Sequence, residues 1–88
     1  MADEPQEDIA ELRDLIDGID RQIVSLLNDR AVLALKIRDL KPLANMSLYD
    51  PKREEEIFAK LAKASDGPLF DENLRAIYET ILQIMKEL

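Results

Sequence analysis

The sequence predicts an all-helical fold with one long helix and two short ones, and three observations support this prediction. Apolar residues recur at alternating steps of three and four, which is helical spacing, and no stretch alternates as a strand does. Prolines at Lys41-Pro42 and Gly67-Pro68 divide the pattern into three parts. The length of 88 residues suits one domain spanning residues 1–88, of which we expect residues 1–6 to be disordered.

The first helix is expected to span roughly residues 7 to 41. Its apolar stripe consists of Ile9, Leu12, Ile16, Ile19, Ile23, Leu26, Leu33, Ile37 and Leu40. Lys41-Pro42 should end the helix or come near to ending it, because the residue before a proline avoids the α region. At about 1.5 Å per residue the helix would be about 50 Å long, which exceeds a compact monomer of this size. We therefore expect an intertwined homodimeric helical bundle, in which a second copy covers the exposed apolar flank.

The two short helices have recognisable start and stop signals. Asp50-Pro51 predicts the start of the second helix, with a side-chain cap followed by proline in the first helical position. Ser65-Asp66-Gly67-Pro68 predicts its end at a glycine cap, and Asp71 is expected to cap the third helix. The apolar stripes are Ile57, Phe58 and Leu61 on the second helix and Leu74, Ile77, Tyr78, Ile81, Met85 and Leu88 on the third. We expect these helices to lie end to end along the first.

Composition excludes several classes of chemistry. The chain has no cysteine and no histidine, so it lacks disulfides, thiolate metal sites and the commonest general base. Catalysis would have to use Arg, Lys, Asp, Glu or hydroxyl groups. A net charge of -7 argues against binding to nucleic acid or to anionic membranes. The acidic start and the lack of a long apolar run predict a soluble, cytoplasmic protein.

Two cationic residues of the first helix stand out. Arg30 occupies a heptad position, continued through Leu26 and Leu33, where an apolar residue is expected. A buried guanidinium without partners is costly, so Arg30 either snorkels, pairs with a carboxylate or binds a ligand. Lys41 lies about 20° around the helix from Arg30 and about 16 Å along it, so both side chains can lean toward one small anion.

Arg13 and Arg53 are weaker candidates on spacing alone. Arg13 lies about 25 Å along the helix from Arg30, which is too far for both to hold one small ligand. Arg13 is therefore either a solvated charge, which the spacing favours, or part of a site built mainly by the other subunit. Arg53 opposes the dipole of the second helix and needs a partner or a ligand, whereas Glu54 suits that dipole.

Taken together, these residues resemble the AroQ-type chorismate mutases, and most of all the mutase domains fused to prephenate dehydratase. The matching segments cover essentially the whole chain and are Leu12-Arg13, Ile16-Asp17, Ile19-Asp20, Leu26–Arg30, Ile37–Lys41, Tyr49–Glu54 and Gly67–Leu69. The resemblance implies an intertwined dimer that rearranges chorismate to prephenate in phenylalanine and tyrosine biosynthesis, without metal or cofactor. It also leaves room for a fused or associated prephenate-processing domain.

The resemblance also implies roles for the cationic residues. Arg30 and the partner subunit's Arg13 would hold the two substrate carboxylates. Lys41 would contact a carboxylate and the ether oxygen. Positive charge at that oxygen would stabilise the negative charge that accumulates as the C–O bond breaks.

At the other end of the site, the resemblance assigns the ring hydroxyl to Glu54 and the backbone of Asp50, with Arg53 supporting the anionic end of the pocket. Two departures are expected to matter. Met85 stands where the family usually has a small or hydroxyl residue, so one carboxylate contact would be missing. The Gln or Glu that hydrogen-bonds the ether oxygen aligns one position beyond Leu88, so either the sequence is a piece of a longer polypeptide or that group is lost.

Three alternatives remain open on sequence grounds. An isochorismate-pyruvate lyase uses the same scaffold, although the intact run Asp50–Glu54 favours the mutase. A catalytically weak regulatory or interaction module of a larger polypeptide would also keep the fold. A bare coiled-coil scaffold would explain the heptad pattern but gives no reason for Arg30, Lys41 and Arg53.

Overall fold

The computed structural model describes residues 4–88. Within them, α1 spans Pro5–Leu40, a 3-10 turn spans Pro42–Ala44, α2 spans Pro51–Ala64 and α3 spans Asp71–Glu87. Residues 4–88 contain no strand, so the prediction of one long and two short helices is confirmed. The chain divides into two compact units after Leu33. No helix among the described residues is both long and apolar enough to cross a bilayer.

The start of α1 lies two residues before its predicted position. Proline suits the first helical position because an N–H there would have no helical partner, and Pro5 occupies it. Glu7 and Asp8 in the first turn complement the helix dipole. Gln6 is therefore helical although it falls in the segment expected to be disordered, while residues 1–3 of that segment lie outside the described residues.

The apolar stripe of α1 is largely uncovered in the single chain. Leu12, Ile19 and Leu26 are 58%, 54% and 65% exposed, and none of the residues of α1 is buried. Single exposed apolar side chains are ordinary, but a contiguous apolar surface of this kind marks an interaction site. The stripe that the heptad pattern predicts is therefore an exposed apolar surface among the described residues.

The end of α1 corrects one expectation. Lys41 keeps right-handed helical dihedrals (φ −56°, ψ −46°), so the residue before Pro42 does not leave the α region. The chain instead turns at Asn45, whose left-handed conformation (φ 56°) allows the N–H of Met46 to donate to the carbonyl of Lys41 at 2.8 Å. This is the Schellman arrangement, in which asparagine can replace glycine. The turn rather than the proline sets the path of the chain.

Within Ala34–Leu88, α2 and α3 pack against each other, so the expectation that they lie end to end was wrong. Their amphipathic faces cover one another, and the half-buried side chains are Ile57, Phe58, Leu61, Leu74, Tyr78, Ile81 and Met85. Leu82 is the one buried side chain among residues 4–88, at 7% exposed, although the predicted stripe omits it. It lies one turn beyond Tyr78 and two beyond Leu74, whereas Ile77 and Leu88 of the predicted stripe are exposed.

The caps of α2 follow the sequence prediction at one end only. Asp50 Oδ1 accepts a hydrogen bond from the N–H of Arg53 at 3.1 Å, as the predicted N-cap requires. The predicted glycine C-cap was wrong, because no glycine in the described range has a positive φ. The helix ends at an extended Ser65, whose hydroxyl donates to the carbonyl of Leu69 at 3.3 Å.

The cap of α3 lies one residue earlier than predicted. Phe70 is the N-cap residue in an extended conformation, and its N–H donates to Asn73 Oδ1 at 2.9 Å. Asp71, the predicted cap, occupies the first helical position, where its charge still complements the dipole. A side chain three residues into the helix thus performs half of a capping box.

Candidate active site

Two of the predicted site residues, Lys41 and Asp50, lie together just before α2. Lys41 Nζ lies 3.8 Å from Asp50 Oδ2, and the Lys41 side chain is only 15% exposed, which is unusual for lysine. The other oxygen of Asp50 caps α2, so this carboxylate is held from two directions. The side chains of Lys41 and Asp50, two residues that the resemblance assigns to the site, therefore lie next to each other.

Glu54 lies one turn beyond Asp50, and its side chain is 26% exposed. Both of its carboxylate oxygens lie 3.1 Å from Nζ of Lys86, which belongs to the last turn of α3. The neighbouring Met85 is half-buried. Sequence reasoning missed Lys86, because a cation in a last turn is already explained by the helix dipole and its partner is 32 residues away along the chain.

The last turns of α1 and α3 are joined by a contact that the sequence also did not reveal. Arg38 Nη1 donates to the carbonyl oxygen of Leu88. This hydrogen bond brings the end of α3, which carries Met85 and Lys86, to the part of the chain that carries Lys41. A guanidinium near the last turn of a helix can satisfy carbonyl groups that have no helical partner.

Arg53 has an exposed partner on its own helix. Its Nη1 lies 3.6 Å from Glu56 Oε2, and both side chains are about half exposed. Such pairs on one helix face contribute a few tenths of a kcal/mol. The pair compensates part of the unfavourable interaction of Arg53 with the dipole, and among the residues described Arg53 forms no ion pair with Asp50 or Glu54.

Arg13 and Arg30 both lie on the part of α1 before Ala34. Arg13 is exposed, whereas Arg30 is half-buried although Leu26 and Leu33 beside it are exposed. Within residues 4–33 neither guanidinium has an ion-pair partner. Each therefore keeps, within that unit, its donors for an anion.

The groups at the start of α2 alternate in charge and suit a polar anionic ligand. Ammonium groups donate to anions and to developing negative charge, whereas carboxylates accept from hydroxyl groups. Among residues 4–88, no three His, Cys, Asp or Glu side chains form a group that could hold a metal ion. The fold and these groups suit a small all-helical protein that binds a ligand through fixed charges.

The chain belongs to the type II chorismate mutase family, because the family's sequence model, Chorismate mutase type II, matches residues 12–88. The resemblance seen in the ordered segments is therefore confirmed. Members of this family are isomerases. The match supports the mutase over the lyase alternative.

Relatives of known name agree with this assignment. The bifunctional chorismate mutase/prephenate dehydratase of Aquifex aeolicus is 42% identical over 80 residues, which are 86% of this chain and 22% of that protein. The chorismate mutase of Methanocaldococcus jannaschii is 31% identical over 83 residues, which are 93% of this chain and 84% of that protein. The chain thus spans less than a quarter of the bifunctional relative and most of the monofunctional one.

Solved structures of chorismate mutases have the same fold. Form II of the Thermus thermophilus enzyme gives a TM-score of 0.88 at 36% identity, covering 92% of each chain. The Helicobacter pylori enzyme, solved in complex with prephenate, gives a TM-score of 0.83 at 32% identity, and the match covers 92% of this chain and 88% of that one. These matches confirm the three-helix fold predicted from the sequence.

Proposed function

We propose that this chain rearranges chorismate to prephenate as a homodimer, with residues 1–88 forming one mutase domain. The observation that carries the proposal is Lys41, whose ammonium is held at low exposure beside the first turn of α2 in a chain of the chorismate mutase family. The Helicobacter pylori relative was solved with prephenate, and we assign the same product to this chain.

The rearrangement is a concerted step in which the ether C–O bond breaks while a C–C bond forms. It needs no nucleophile, metal or proton transfer, so a chain without cysteine and histidine lacks nothing that the reaction requires. Catalysis consists of holding the reactive conformer and stabilising negative charge on the ether oxygen. Lys41 is the residue we assign to that oxygen. At 3.8 Å its contact with Asp50 is longer than a hydrogen bond, so its N–H donors remain available to substrate.

The ring hydroxyl of the substrate is assigned to Glu54 and to the backbone of Asp50. The support for this assignment is the half-buried position of the Glu54 carboxylate and its place one turn from Asp50 on the same side of α2. An ionised carboxylate only accepts hydrogen bonds, which suits a hydroxyl donor. Arg53 is assigned to the anionic end of the pocket, where it would exchange its exposed partner Glu56 for substrate.

The two substrate carboxylates are assigned to Arg30 and to the partner subunit's Arg13. Arg13 and Arg30 lie about 25 Å apart along α1, which is too far for one small ligand to reach both in the same chain. The uncovered apolar stripe of α1 supports a second copy as the surface that brings them together. Met85, half-buried beside Lys86, is assigned to the wall of the site without a hydrogen bond to substrate.

The surroundings of the enzyme are part of the proposal. The Aquifex aeolicus and Neisseria gonorrhoeae relatives are bifunctional enzymes with prephenate dehydratase, and we infer that this mutase also works with a fused or associated prephenate-processing activity. We assign it to the cytoplasm on the sequence grounds given above. No cofactor enters the proposed reaction.

A direct assay separates the proposed function from its rivals. The purified chain is incubated with chorismate and, separately, with isochorismate, while the products are identified by mass spectrometry. We expect prephenate from chorismate. Pyruvate released from isochorismate would favour the lyase instead. Failure to bind a bicyclic dicarboxylate mimic of the transition state, together with no turnover, would favour a silent module.

A further inference from the structure

Lys86 makes an ion pair that differs from the others in Ala34–Leu88. Its Nζ lies 3.1 Å from both oxygens of Glu54, and Glu54 is much less exposed than the carboxylates paired with Arg53 or Arg75. Contact with both oxygens fixes the rotation of the carboxylate as well as its position. We propose that Lys86 is a positioning residue, which orients Glu54 to accept the ring hydroxyl of the substrate. The proposal rests on the proposed function.

The charge pattern at the start of α2 explains why Glu54 needs a cation such as Lys86 beside it. Asp50 and Glu54 are four residues apart, so their carboxylates lie on one side of the helix and repel each other. Lys41 lies beside Asp50 and leaves Glu54 without a cation of its own. Lys86 supplies that cation from α3 and opposes the outward rotation of Glu54 into solvent.

The pair leaves Glu54 able to bind substrate. An ionised carboxylate has about four acceptor positions, and a single ammonium in contact with both oxygens occupies about one on each. The remaining positions can accept a hydroxyl group. Lys86 therefore orients Glu54 without blocking it, and being exposed itself it need not touch the reacting atoms.

The backbone that carries Lys86 is held on both sides. Leu82, one turn earlier, is buried, and Leu88, two residues later, accepts the hydrogen bond from Arg38. The last turn of α3 is thus fixed relative to the end of α1 and to α2. A fixed backbone lets a flexible lysine set the orientation of its partner.

The test compares two substrates in two variants. Lys86→Met removes the ammonium and keeps the length and apolar stem of the side chain. Lys60→Met is the matched control, because Lys60 is an exposed lysine of α2 with no ion pair among residues 4–88. Each is assayed with chorismate and with an analogue that carries hydrogen in place of the ring hydroxyl, with kcat and KM determined separately.

With chorismate, we expect Lys86→Met to lower kcat/KM by about tenfold, the scale of one hydrogen bond, while Lys60→Met changes it by less than about twofold. With the analogue, Lys86→Met should have the same kcat/KM as the unmodified chain, because the analogue has no hydroxyl group from which Glu54 could accept a hydrogen bond. Lys86→Arg should restore most of the activity toward chorismate. In a Glu54→Gln background, Lys86→Met should have no further effect.

Distinct outcomes overturn the two proposals. If the unmodified chain converts chorismate and Lys86→Met behaves as Lys60→Met, or loses equally on both substrates, the positioning role of Lys86 is wrong while the mutase function stands. If the unmodified chain does not convert chorismate, both are wrong. Should Lys86→Met not fold in thermal melts, Lys86→Gln takes its place with the same selective loss expected.

Discussion

The apolar side chains of the two units are covered to very different extents. Within Ala34–Leu88, α2 and α3 cover part of each other's apolar surface around the buried Leu82, whereas every stripe residue of α1 before Ala34 is exposed. A contiguous exposed apolar surface of this kind marks an interaction site.

The same contrast holds for the charged groups. Lys41, Asp50 and Glu54 are positioned by contacts within Ala34–Leu88. Arg13 and Arg30 have no ion-pair partner within residues 4–33. In the proposed function, contacts within Ala34–Leu88 organise one part of the site, and a second copy of the chain would organise the other part. The following predictions test each side of this contrast.

The largest effect is expected from Lys41→Ala. Removing a preorganised donor to developing negative charge lowers kcat by about a hundred- to a thousandfold. The helical content and the dimer should persist, because they do not depend on this ammonium. Steady-state kinetics and size-exclusion chromatography with light scattering measure both, with Lys60→Ala as the control. Near-normal turnover in Lys41→Ala would remove Lys41 from the site.

A large effect on assembly is expected from Ile19→Asp. A carboxylate without a partner in a buried apolar interface is strongly unfavourable, so the dissociation constant of the dimer should rise by at least about a hundredfold. Asn28→Asp adds the same charge on the opposite side of α1 and serves as the control. Sedimentation equilibrium distinguishes the two variants. An equally stable Ile19→Asp dimer would show that the stripe is not the interface.

A smaller and differently located effect is expected from Leu82→Ala. Truncating a buried leucine lowers the free energy of unfolding by about 2 to 5 kcal/mol, and the lower end is expected here because the other apolar side chains of α2 and α3 are only half-buried or exposed. The dissociation constant of the dimer should change much less than in Ile19→Asp. Chemical denaturation at several protein concentrations separates the two quantities. If Leu82→Ala weakened the dimer as much as Ile19→Asp does, the proposed difference between the two units would be wrong.

The smallest effect is expected from Arg75→Met. The guanidinium of Arg75 lies 4.1 Å from the centre of the Phe58 ring and pairs with Glu55 and Glu79. The charged groups are exposed, so the cation–π contact and the ion pairs together should contribute no more than about 1 kcal/mol. Thermal unfolding against Lys63→Met measures the difference. A much larger loss would place Arg75 among the determinants of α2–α3 packing.

Local patterns account for the parts of the fold that the sequence predicted correctly. The apolar stripe of α1 and the start of α2 at Asp50-Pro51 depend on residues that are close in sequence, so periodicity and capping rules suffice to find them. The predicted end of α1 was correct, but its predicted cause was not. Lys41 stays helical before Pro42, and the chain turns at Asn45. The cap of α3 lies one residue earlier, at Phe70, because the side chain of Asn73 accepts the hydrogen bond of the Phe70 N–H.

The site was predictable only where family likeness or short spacing revealed it. Lys41 and Asp50 are nine residues apart, and the structure brings them together. The contacts from Lys86 to Glu54 and from Arg38 to Leu88 join residues 32 and 50 positions apart. Such contacts depend on how helices pack, and no periodicity or capping rule encodes them.

The most direct test of a site shared between two chains uses mixed dimers. Arg13→Ala and Arg30→Ala chains, each expected to be inactive alone, are unfolded together, refolded as an equal mixture and assayed with chorismate. If Arg13 acts across the dimer, each mixed dimer regains one intact site, and random pairing gives about a quarter of the unmodified activity. As a control, an Arg13→Ala/Arg30→Ala chain mixed with unmodified chain should form mixed dimers with no intact site. Activity that stays at the level of the single variants would contradict the shared site.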